Sequence, residues 1–470
     1  MAFQGWHEDR PRKRGEHGAS KIPLFDPPNV SLPRAWALIL LSVVVVIVLT
    51  IVNRGTDVET QDAAVADEVI IQSRQALSLM RLETEDLVLI PMRDLAITPS
   101  ATRRVATTWA ALDRGDGNRT LIALSLMSRI PKQVQGGAAL GAPADLDSLM
   151  VQAFFHPLDL TEREQEYIVE HVGWPAKLLM VRDLEEEHPE RIQLHTKASR
   201  NATWSSLIVA FGIISTMMGA VYLTNFLQRW RRRTIVFELP APQTDPAIYL
   251  EAFAVYVFFM AVAVASARVG GAAALVALAA QLLASALGIF WPALRGIPLR
   301  IMARDLGLHR GVGWLTEIWA GLVGYVTILP LFAVGVVTMV AIQKSLAFAG
   351  VELSNPVHPE MVGIGDEGLG LRVYIIIAAV CFAPVIEEIM FRGALFRGLR
   401  SRWSFVASSL AVGLIFAAVH PQGLLIVPAL TAIGVGMSGL REWRDSLIAP
   451  MVAHAIHNGT LIVLTLILLS

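Results

Sequence analysis

The sequence predicts an all-α protein: a polytopic transmembrane helix bundle with an extracytoplasmic, mainly helical domain inserted between the first two spans. Three observations carry that expectation. Of 470 residues, 54% are hydrophobic and only 17% charged, and a water-soluble chain of this length carries more charge. Apolar runs long enough to cross a bilayer recur through the second half of the chain. Between the first two such runs lies a long charged stretch that contains none. The formal net charge of −1 gives no global basic character, so nothing points to a nucleic-acid partner.

The elements follow in order. Residues 1–34 read as a flexible cytoplasmic tail, polar and proline-containing, and not as a cleavable signal peptide. Residues 35–53, with ALILLSVVVVIVLTIV, form transmembrane helix 1. Residues 54–202 form the extracytoplasmic helical domain, in which Thr161 and Glu164 have the spacing of a capping box. Residues 203–228 are transmembrane helix 2, and 229–245, opening with RWRRR, are a basic cytoplasmic linker. Together with Arg10, Arg12, Lys13, Arg14 and Lys21, that linker places the N-terminus in the cytoplasm under the positive-inside rule. Residues 246–470 form the main bundle, with spans expected near 248–267, 270–293, 314–343, 371–391, 404–420, 422–440 and 446–469. Arg392, Arg397, Arg400 and Arg402 read as a further cytoplasmic marker. Gly434, Gly436 and Gly439 suit close helix packing. The single cysteine, Cys381, permits no intrachain disulfide, which fits a bacterial inner-membrane protein.

The chemistry lies in the last hundred residues. PVIEEIMFRG, 384–393, puts three ionisable groups at the end of an apolar run. Such groups inside a membrane are costly, about 2.5–3.5 kcal/mol each at the centre of a span, and mark function by default. Glu388 and Arg392 are four apart and share a helix face. Glu387 is rotated by about 100° and is left for another task. His420, with Phe416 one turn earlier, ends a second apolar run. His454 and Asn458 share a face in the last span, with His457 on a neighbouring face. One shared polar cavity containing Glu387, His420, His454 and Asn458 gives all of them partners away from lipid. A carboxylate and a histidine there can activate a water, and a histidine and an amide can donate to the oxyanion of an attacked carbonyl. Glu387, His420 and His454 are also acceptable zinc ligands, although no HExxH is present. The residues themselves leave both versions open.

EEIMFR (387–392), FAAVH (416–420) and HAIHN (454–458) fit the patterns EExxxR, FxxxH and HxxxN. In this order, and with the phrase SLIAPMVAHAIHN, residues 370–470 resemble the CPBP family of CAAX-processing and bacteriocin-processing intramembrane endopeptidases. The resemblance implies a protease whose site lies in the membrane. It implies Glu387 as the catalytic carboxylate, His420, His454 and Asn458 as its catalytic partners, and Glu388, Arg392 and Phe416 in support. Family members are described both as metalloproteases and as enzymes of glutamate-activated water, so a divalent metal such as zinc is one implied cofactor and none is the other. The implied partners are the lipid bilayer and a membrane-associated protein or peptide substrate, with no requirement for prenylation.

Other readings compete. GMSG, 436–439, with His454 on the next helix, matches a rhomboid-like serine protease with Ser438 as nucleophile, but leaves Glu387 and Arg392 without a role. A membrane scaffold, a sensor or a proton-coupled carrier would use the same buried groups as a relay, although no internal repeat favours a carrier. Asn118 and Asn201 lie in glycosylation-type triplets to which no role attaches. Glu185, Glu186 and Glu187 suit a solvated helix face, with His188 and His195 too sparse for a metal site, and Trp36, Trp204 and Trp230 suit interfacial anchors. The domain of residues 54–202 is expected to select or sense substrate.

Overall fold

The computed structural model describes Trp36, Ile39 and residues 99–111, 118–128, 146–267, 273–349, 369–420 and 422–469. Their regular structure is helical, with no β-strand among them. The body of the expected first span and residues 350–368 lie outside the described residues. The chain divides into two compact units.

One unit is built on α1 (Pro99–Ala111), α2 (Asn118–Met127), α3 (Leu146–Phe155), α4 (Glu162–Val172) and α5 (Trp174–Val181). These helices enclose a small apolar core that includes Trp109, Leu126, Met150, Phe154, Ile168 and Leu179. Helix α4 begins where the sequence says it does. The Thr161 N–H and hydroxyl both donate to Glu164 Oε2, at 2.9 and 2.7 Å. Such a box satisfies donors that the first turn of a helix otherwise leaves open.

The other unit is the bundle. Helix α6 (Pro189–Arg231) is 43 residues long, and its part from Ser206 to Arg231 is apolar enough to cross a membrane. Six further helices meet the same measure of length and composition: α7 (Ala247–Ala267), most of α8 (Ala273–Leu294), most of α10 (Trp314–Phe348), α11 (residues 369–400), α13 (Val427–Arg444) and α14 (Ile448–Leu469). Two shorter helices join them among the described residues, the amphipathic α9 (Leu299–Leu306) and α12 (Phe405–Ala418). The chain is therefore an integral membrane protein by its helices. Helix α12 departs from expectation: at 14 residues it extends about 21 Å, less than a full crossing. It starts late because the arginine-bearing stretch before it stays helical to Arg400, and Ser404 then caps the new helix by accepting the Ala407 N–H.

The arginines that read as interfacial markers are in part interior. Arg397 is 4% exposed, donates to the Pro240 carbonyl at 2.6 Å and lies 3.5 Å from Asp305. Asp305 also accepts the Gln243 N–H and the Tyr249 hydroxyl. Arg400 and the Leu239 N–H meet on the buried Glu442, and Arg444 meets the buried Glu317 at 2.7 Å. The segment 239–245 is thereby tied to α9, α11 and α13.

Helices α12 and α13 cross at two glycines. A Cβ on Gly434 would stand 2.6 Å from the Gly413 Cα, a backbone atom with nowhere to go. Gly434→Val is expected to separate the two helices at an overpacking cost of about 1–3 kcal/mol, read as a lowered unfolding temperature in detergent. A second expectation concerns α4. The Thr161 hydroxyl and N–H hold the Glu164 carboxyl below its ordinary pKa. Because the folded value lies below the unfolded one, the contribution of the box is whole above the usual glutamate range and is lost as pH falls through the folded value. An NMR titration of Glu164 should show the depressed midpoint, and Thr161→Ala should return it toward the ordinary range.

Candidate active site

The cluster is built from three helices, α11, α12 and α14, with α7 and α13 closing around it. Glu388 and Arg392 are both 0% exposed, and Arg392 Nη1 donates to Glu388 Oε1 at 2.8 Å. Their four-residue spacing stacks them on one face of α11. The other guanidinium arm reaches the Gly434 carbonyl at 3.4 Å. The guanidinium carbon lies 4.6 Å from the centre of the Phe416 ring, a cation–π contact in a dry setting.

His454 joins the two glutamates. Its Nδ1 lies 2.9 Å from Glu388 Oε1, and its Nε2 lies 3.8 Å from Glu387 Oε2. A carboxylate only accepts, so Nδ1 is the donor and carries the proton, and Nε2 faces Glu387. His420 is fixed in the same way: its Nδ1 donates to the Phe416 carbonyl one turn back, which leaves Nε2 as the available nitrogen. The Phe416 ring packs on both imidazoles, at 4.3 Å from His420 and 6.0 Å from His454.

The structure thus brings Glu387, Glu388, Arg392, Phe416, His420 and His454 together. Asn458 sits one turn beyond His454 and donates from Nδ2 to the Ala379 carbonyl at 2.9 Å. His457 turns away and packs between Tyr325 and Phe332 of α10. Among the described residues no group of three or more His, Cys, Asp and Glu side chains is placed to hold a metal ion. Glu387, His420 and His454, the zinc candidates, do not form such a group here, and His454 presents its Nδ1 to Glu388. Ser438 is fully buried and donates to the Gly434 carbonyl at 3.0 Å, so GMSG is a helix-packing string.

Two participants escape the sequence reading. Tyr256 of α7 is buried, with its ring edge-on to Phe391 at 6.4 Å on the helix that carries Glu387. Its only signal was a polar-tipped ring in a largely apolar span. The second is the Ala379 carbonyl, whose signal was Pro384 four residues before Glu388.

A membrane-spanning helical bundle that encloses a glutamate, two histidines and a buried ion pair defines a class of membrane-embedded protein with an ionisable core. The comparisons narrow that class. Residues 369–460 match the family described as "Type II CAAX prenyl endopeptidase Rce1-like", a family of peptide-bond hydrolases, and so bear out the resemblance drawn from the motifs. The chain is also similar to an "Uncharacterized 24.3 kDa protein" of Escherichia coli, 27% identical over 121 residues, which are 25% of this chain and 56% of that protein. The chain spans about half the length of that curated relative. No solved structure matches.

Removing one member of the buried pair leaves a bare charge. Arg392→Leu is expected to cost about 3–5 kcal/mol, and Arg392→Leu with Glu388→Leu to recover a large part of it. Thermal unfolding of the three proteins in the same detergent checks this, and additive losses in the double variant would count against the pair.

Proposed function

We propose that the chain is an intramembrane endopeptidase that hydrolyses a peptide bond of a membrane-associated protein or peptide with water activated by Glu387. The observation that carries this reading is the placement of His454, with Nδ1 held by Glu388 and Nε2 turned to Glu387. Glu387 and the His420 Nε2 hold a water between them. As the water oxygen bonds to the scissile carbonyl carbon, its proton passes to Glu387. The carbonyl oxygen becomes an oxyanion and accepts from His454 Nε2–H and from the second N–H of Asn458. The C–N bond then breaks, and Glu387 returns the proton to the leaving amine. Glu388 accepts from His454 Nδ1 and so orients its Nε2, and Arg392 holds Glu388 in place. No step passes through a metal, for which the donors are not arranged.

The domain of residues 54–202 would select or sense the substrate from outside the cytoplasm, with the bundle in a bacterial inner membrane and the N-terminus in the cytoplasm. The chain would then divide functionally at 1–34, 35–53, 54–202, 203–228, 229–245 and 246–470. The Rce1-like match favours a substrate cut near a lipid-anchored or membrane-embedded end.

The test is cleavage in liposomes of a panel of membrane-associated peptides, prenylated and not. Glu387→Gln is expected to lower kcat by about 100-fold or more, the share a general base contributes. Glu388→Gln should reduce it less and change its pH profile, since it acts through His454. Equal cutting by wild type and Glu387→Gln would sink this reading and assign the charges to the fold or to an ion path.

A further inference from the structure

The helix that carries both glutamates is not α-helical throughout. Two wide, π-helical turns, Ala378–Phe382 and Ile389–Leu395, flank the six residues Ala383–Glu388. In the first, the Ala383 N–H donates to the Ala378 carbonyl, five residues back. In a continuous α-helix that N–H would serve Ala379. The next nitrogen along the chain belongs to Pro384 and has no proton. The Ala379 carbonyl is therefore left without a donor from residue 383 or 384. In an apolar bundle such a carbonyl must be satisfied from another helix. Asn458 of α14 does so at 2.9 Å, and Val380 packs beside the neighbouring Gly459.

We propose that Asn458 is a positioning residue that, by bonding the carbonyl orphaned by Pro384, holds the wide turn 378–382 open and so sets the rotation at which Glu387 and Glu388 enter the cluster. One extra residue in a turn rotates the remainder of the helix by about 100° relative to a continuous α-helix. That is the angle separating Glu387 from Glu388, so closing the turn would move one glutamate toward the direction of the other. The bond uses one of the two amide N–H groups of Asn458. It is independent of the oxyanion role assigned above and stands or falls without any peptide being cut.

The experiment uses the full chain in liposomes and its single cysteine. Cys381 lies within the wide turn with its side chain exposed, so a nitroxide attached there reports collisions with oxygen dissolved in the lipid. Three variants are compared: Asn458→Leu, Pro384→Ala, and both together. Asn458→Leu is expected to shift the oxygen collision rate of the label and to lower the unfolding temperature. Pro384→Ala restores an N–H that reaches the Ala379 carbonyl across the wide turn, so the label should keep its wild-type collision rate. In the double variant no carbonyl is orphaned, so its unfolding temperature should return toward that of Pro384→Ala alone. A label unmoved by Asn458→Leu, or losses that add in the double variant, would overturn the proposal. Should Asn458→Leu fail to fold, folding of the double variant supports it, and failure of the double variant where Pro384→Ala folds overturns it.

Discussion

A carboxylate and a guanidinium, sealed from water and bonded at 2.8 Å, set the geometry of everything around them. Burying two charges is expensive, and a pair of this kind stabilises a fold less than well-packed apolar side chains would. What it supplies is direction. Arg392 ties α11 to the backbone of α13 at Gly434 and rests on Phe416 of α12. Glu388 accepts from Arg392 and from His454 on the same oxygen, which brings α14 into register with α11. The histidine gains a fixed orientation from that bond, and the ring nitrogen that faces Glu387 is determined by it. Four helices are oriented by contacts no longer than 4.6 Å. The placement of Glu387 is set by the helix that carries it.

Two prolines inside long helices show how the bundle treats a lost N–H. Pro330 of α10 cannot serve the Val326 carbonyl, and that carbonyl comes up against Gly219 of α6, where the absence of a side chain permits the approach. The solution there is packing between two spans. Pro384 of α11 raises the same problem beside the glutamates, and the solution is a side-chain amide and a change of helical pitch. The difference matters because a pitch change rotates side chains, whereas a close approach only brings helices together. Wide turns of this type recur at functional sites for that reason.

Much of this was legible in the sequence where the cause was local. The spans of α6, α7, α10, α13 and α14 come from apolar runs, and the α4 box from Thr161 and Glu164. The Glu388–Arg392 pair comes from a four-residue spacing, and the gathering of His420 and His454 from the cost of leaving each in lipid. Where the cause was distant, the sequence was silent. Arg397 and Arg400 read as interfacial because nothing near them in the chain reveals Asp305 and Glu442, 92 and 42 residues away. The short α12 has the same origin, since α11 spends its last turns inside the protein. The sequence places His454 toward substrate alone; its bond to Glu388 depends on how α14 is set against α11, which no spacing within either helix encodes.

The buried arginines act on placement as well. Arg397 lies five residues beyond Arg392 on α11, and its bonds to Pro240 and Asp305 fix that end of the helix against segment 239–245 and α9. Arg441 extends the same anchorage from α13, donating to the Asp305 carbonyl and pairing with Asp445. An ionic knot at one end of α11 therefore resists sliding along the helix axis, while the amide of Asn458 at the wide turn resists rotation about it. A general base must stand within a few tenths of an ångström of its water to be effective. On a single helix that tolerance requires both constraints, and α11 carries one on each side of Glu387.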